Sequence, residues 1–109
     1  MSPVRKWCKY FNENVALEML MDIIDNLSTV NKGWLSRSDI VTTLKQHVQN
    51  TYPEAYSNLG DPEYGNIVDW LGARYTEIAR LRPILRRLEK FINEYDRQKI
   101  MDKWAYRKR

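Results

Sequence analysis

Residues 61–81, DPEYGNIVDWLGARYTEIARL, decide the fold. Asp61 is a good helix cap, Pro62 suits the first helical position, and Glu63 complements the positive end of the helix dipole. Tyr64, Ile67, Val68, Leu71, Tyr75 and Ile78 then recur at helical spacing and form one apolar stripe. This pattern predicts a central core helix. Gly65, Gly72 and Ala79 make a second row along one flank of the stripe. A glycine inside a helix costs about 1 kcal/mol relative to alanine. The row therefore predicts that another helix or backbone approaches closely there.

Upstream, residues 13–28 form an amphipathic helix with Asn12 or Asn14 as its cap. Leu17 and Met21 widen its apolar arc beyond Val15, Ala16, Met19, Leu20, Ile23, Ile24 and Leu27, so it should be flanked on more than one side. Gly33 turns the chain, and Ser36, with Asp39 three residues on, caps a helix running to about Val48. In the irregular segment 50–60, Pro53 starts a single helical turn and Gly60 ends it. His47 reads as a boundary residue of the preceding helix.

Downstream, Arg82-Pro83 marks a tight bend. Ile84, Leu85, Leu88, Phe91, Ile92 and Tyr95 predict a last helix over about 83–100. The basic tail 102–109 carries Trp104 and Tyr106 and either extends that helix or lies as a short strand or a disordered arm. At the other end, residues 1–11 are an aromatic, basic segment with Trp7, Tyr10 and Phe11. The expected architecture is all-α: one compact domain over 1–109, four to five helices, helix-turn-helix-like, with little or no sheet.

Composition excludes several classes. The chain has 109 residues, enough for one modest core. Its lone Cys8 and lone His47 leave no internal disulfide and no usual zinc constellation, so no metal is expected. Every apolar run is broken by charge, which argues against a membrane span and a signal peptide and, by elimination, for a cytoplasmic location. The net charge of +4 is unevenly spread. Residues 1–73 hold six Lys/Arg against nine Asp/Glu, while residues 74–109 hold twelve against five. Such a split points to a face for a polyanion or an acidic protein surface.

No G-x-S-x-G elbow, Walker-type loop, H-E-x-x-H or C-x-x-C is present, so neither an enzyme nor a cofactor is expected. The positive signal is an arrangement of helices. Residues 33–40, GWLSRSDI, open one helix; after a loop, residues 63–71, EYGNIVDWL, lie in the next. With the helix 13–28 before them, this spacing over 13–81 resembles a winged helix-turn-helix module. The resemblance implies that helix 62–81 is the recognition helix and that the helix start at Ser36 and Arg37 meets phosphate. The connection between the two helices is longer than the usual tight turn, and no β-hairpin wing is expected after Leu81.

Charge moves the expected contact surface away from the start of the recognition helix. Asp61, Glu63 and Asp69 occupy its first half, and its first basic residue is Arg74. Carboxylates oppose a phosphate backbone. The better nucleic-acid surface comprises Arg74, Arg80, Arg82, Arg86, Arg87, Lys90, Arg107, Lys108 and Arg109, with Trp104 and Tyr106 available to stack on single-stranded bases. The leading expectation is thus a non-enzymatic nucleic-acid-binding regulatory protein. The alternative is a small protein-binding or inhibitor module that docks a basic, aromatic surface, anchored by Trp70 and Arg74, on an acidic partner. Complementary acidic and basic parts also leave a homodimer open.

Overall fold

The computed structural model describes residues 6–77 and 86–109, with side chains for 6–76 and 88–109. A 3-10 turn, Lys6–Lys9, leads into α1 (Glu13–Val30), α2 (Arg37–Thr51), the short α3 (Pro53–Asn58) and α4 (Asp61–Glu77). Then come α5 (Arg86–Glu94) and the strands β1 (Tyr95–Ile100) and β2 (Lys103–Lys108). The described residues are mostly helical, with five α-helices and a two-stranded antiparallel sheet.

Local chemistry accounts for the helix starts. Asn12 accepts the Val15 N–H at 2.8 Å and caps α1. Ser36 does the same for Asp39 at 3.1 Å, opening α2. Pro53 opens α3 in the single turn expected there. Asp61 departs from expectation: it is the first residue of α4, and its carboxylate holds Lys45 Nζ at 2.6 Å.

One core joins the elements. Leu17, Leu20 and Ile24 of α1, Ile40, Leu44 and Val48 of α2, and Tyr64, Ile67 and Leu71 of α4 are all buried in it. Phe91 of α5, Tyr95 and Tyr106 of the hairpin, and Trp7 and Phe11 from the start of the chain complete it. Leu17 and Met21, which widened the apolar arc of α1, are buried within the domain.

The C-terminal segment requires a correction. The last helix ends at Glu94, not near Ile100: residues 95–100 form a strand where helix was expected to continue, and residues 103–108 take the short-strand alternative and pair with it as a β-hairpin. Tyr95 pairs with Lys108, Arg97 with Tyr106, and Ile100 with Lys103. Met101 and Asp102 close it with φ of 51° and 68°, the left-handed pair that a two-residue hairpin turn requires. Across the sheet, Leu35 exchanges both backbone hydrogen bonds with Tyr106, at 2.7 and 3.1 Å. The spatial order is therefore Leu35, β2, β1. The architecture is mostly helical with a small sheet, not all-α.

No helix among the described residues is long and apolar enough to cross a membrane.

Candidate nucleic-acid interface

The glycine row on α4 is where the hairpin docks. A Cβ on Gly72 would lie 2.6 Å from Trp104 Cδ1, so only glycine admits the indole at its present depth. Gly72 also supplies its carbonyl oxygen to Arg97 Nη1 at 2.8 Å. At Gly65 the neighbour is the Arg37 guanidinium. The close approach predicted from this row is thus made at both glycines by long side chains, not by a second backbone; Ala79 lies outside the described residues.

Arg97 is the keystone of that contact. Its Cζ lies 3.7 Å from the Trp104 ring centroid and 4.3 Å from that of Tyr75. Desolvation pulls its pKa below the ordinary arginine value, but arginine titrates so far above neutrality that the guanidinium stays charged. Tyr75 donates its hydroxyl to the Tyr95 carbonyl at 2.9 Å, tying α4 to the base of β1. The Tyr95 hydroxyl donates to Asp25 on α1 and lies 3.3 Å from Ser28 Oγ. Burial, reinforced by the carboxylate acceptor, pushes the Tyr95 phenol up to about 12. Burial likewise raises Tyr106, whose hydroxyl has no partner among the described residues.

Around this base the hairpin presents cations. Lys99, Lys103, Arg107 and Lys108 are exposed. Arg107 lies over the half-buried Trp34 ring at 4.5 Å, and Lys99 Nζ is 5.3 Å from the Trp104 centroid. Segment 95–109 holds six basic residues against two acidic, a balance equal to the net charge of the whole chain. Beside it, α4 exposes Asn66, Asp69, Ala73 and Thr76, a polar strip of small side chains.

The electrostatic objection to α4 weakens in this geometry. Asp69 is clasped by Arg37, Nε to Oδ1 at 2.7 Å and Nη2 to Oδ2 at 3.2 Å, and Asp61 by Lys45. The hydrogen bond to Asp69 raises the Arg37 pKa, and that to Asp61 raises Lys45. Two of the three carboxylates that seemed to repel a polyanion are already neutralised.

The expected contact residues separate into distinct fates. Trp70 is 4% exposed and meets Trp7 edge-on with centroids 5.4 Å apart, so it is core and not an accessible anchor. Arg74 is half-buried, 3.6 Å from Glu13 and 5.9 Å from the Trp70 ring. Trp104 carries Arg97 on its ring, so no base stacks on that surface without displacing the guanidinium. Ser36 is engaged as a cap, and Arg37 as the partner of Asp69. Lys90, Arg107 and Lys108 are exposed, while Arg109 binds Asp96 at 2.7 Å and the Asn93 carbonyl at 3.0 Å. Arg86 and Arg87 begin α5; Arg80 and Arg82 lie outside the described residues.

Sequence reasoning missed Arg97, Lys99 and Trp34. The signal was alternation: Tyr95, Arg97 and Lys99 share one hairpin face with Trp104 and Tyr106, the period of a strand. No family model, no curated protein and no solved structure matches the chain.

Proposed function

We propose that this chain is a non-enzymatic nucleic-acid-binding regulatory module of winged helix-turn-helix type, with duplex as its substrate. One observation carries the reading: a basic hairpin is locked against the flank of α4, beside the exposed strip Asn66, Asp69, Ala73 and Thr76. The order Leu35, β2, β1 adds support, because such a three-part sheet beside a helix pair suits a helix in one groove and a hairpin on the adjoining backbone. Lys103, Arg107 and Lys108 are the phosphate contacts in this reading, and Asn66 is the base reader on α4. The hairpin takes over the role expected of a basic helix and tail. Docking on an acidic protein surface has less support, since its aromatic anchor Trp70 is buried.

The test is the salt dependence of duplex binding. Affinity should fall steeply with salt, and Lys103→Ala with Lys108→Ala should lower the log–log slope by about two while weakening all sequences alike. Binding that ignores salt, or a slope unchanged in the double variant, overturns the assignment.

A further inference from the structure

We propose that the hairpin tip, Met101 with Ile100 behind it, is an apolar wedge that enters the duplex between base steps and bends it. This rests on the duplex-binding reading above. Met101 is 93% exposed and Ile100 39%, so the tip is an apolar projection on the most basic part of the chain. Its backbone makes the choice of residue informative. At φ 51° Met101 holds a left-handed conformation where glycine or asparagine is usual and a side chain with a Cβ costs about 1–2 kcal/mol. The turn thus keeps a strained residue whose long apolar side chain makes little contact with its own fold. Backbone strain of this kind gathers where a side chain must be presented.

The surroundings select the occupant. Lys99 and Lys103 flank the tip, and segment 97–109 has six cations against the single carboxylate of Asp102. Asp102 opposes phosphate, but it fills the second left-handed position, which aspartate tolerates. An apolar side chain between cations is the chemistry of proteins that unstack a base step while neutralising the adjoining phosphates. The mount is also firm. Arg97 pins β1 to the Gly72 carbonyl, and the Tyr95 hydroxyl pins its base to Asp25, so force on the tip is passed to the helices.

The experiment uses the full chain with a duplex of about two helical turns carrying donor and acceptor dyes at its ends. Affinity is read by anisotropy and bending by energy transfer. Met101→Gly relieves the left-handed strain, so this variant folds at least as well as the parent. The parent should raise energy transfer. Met101→Gly should bind roughly ten-fold more weakly, return transfer to the free-duplex value, and keep the parent's salt slope. A parent that binds without changing transfer, or a variant that bends as the parent does, overturns the wedge and leaves duplex binding standing. No duplex binding by the parent removes the underlying reading and the wedge with it. Binding to phosphatidylserine vesicles that depends on Met101, with duplex bending that does not, also overturns the wedge.

Discussion

Two tryptophans reach α4 from opposite ends of the chain, and the fold uses them differently. Trp7 is fully buried and packs edge-on against Trp70, adding bulk to the core, with the Arg74 guanidinium 5.9 Å from the far ring. Trp104 lies half-buried against Gly72 and carries the Arg97 guanidinium on its ring. The first contact is apolar packing. The second uses an indole to hold a cation in place and, with it, a basic hairpin. The same residue type therefore reports core at one end and a surface mount at the other, and only its neighbours say which.

The largest effect should come from breaking the first contact. Trp70→Ala should cost about 3–5 kcal/mol and lower the denaturant midpoint accordingly, because it empties a buried site that the Trp7 turn cannot refill. Loss of this size would mark Trp70 as structural; a stable fold with normal melting would contradict its place in the core.

The hairpin side should respond to alkaline pH. The folded state holds the Tyr95 proton more tightly than the unfolded chain, with a pKa near 12 against an ordinary 10. Its contribution is fully present below about pH 10 and is lost as pH rises through about 12. Burial of Tyr106 acts in the same direction. Chemical denaturation at stepwise pH should show this fall, of order 2 kcal/mol from Tyr95, and Tyr95→Phe should remove that part.

Smaller effects separate the two glycines of α4. Gly72→Ala gains helix propensity, but its Cβ meets a rigid indole edge at 2.6 Å. Overpacking should win, for a net loss of about 1–2 kcal/mol in thermal or urea unfolding. Gly65→Ala meets only the far end of the Arg37 side chain, which can swing away. It sacrifices at most an exposed ion pair of about 0.2–1 kcal/mol and gains about as much from the helix. A stability change within about 0.5 kcal/mol is expected, so equal losses at both positions would remove the distinction.

Most of the helical frame could be read in the residues. The caps Asn12 and Ser36, the stripe from Tyr64 to Leu71 and the turn at Pro53 depend on neighbours in sequence, and all stand where local chemistry puts them. The hairpin was hidden by two coincidences. Phe91, Ile92 and Tyr95 continue a helical spacing across the junction, and Arg97, Gln98 and Lys99 are good helix formers. The turn itself is Met-Asp, without the glycine or asparagine that normally signals a two-residue loop. Its stability comes from contacts distant in sequence, Arg97 with Gly72 and Leu35 with Tyr106, which no local window contains. The site followed suit: the basic bias of the C-terminal third was legible, but Trp70 was taken for surface because helical periodicity could not register a 3-10 turn folding over it.

The single bridge between Leu35 and Tyr106 has a bearing on how the molecule assembles. It joins positions about seventy residues apart, so its formation must close a loop spanning most of the chain, at an entropic cost that grows only slowly with length. Helices α1, α2 and α4 can begin to associate without it. The amide protons of Leu35 and Tyr106 should then be among the last acquired during refolding, and in the native state they should exchange only when the helices and the hairpin part company.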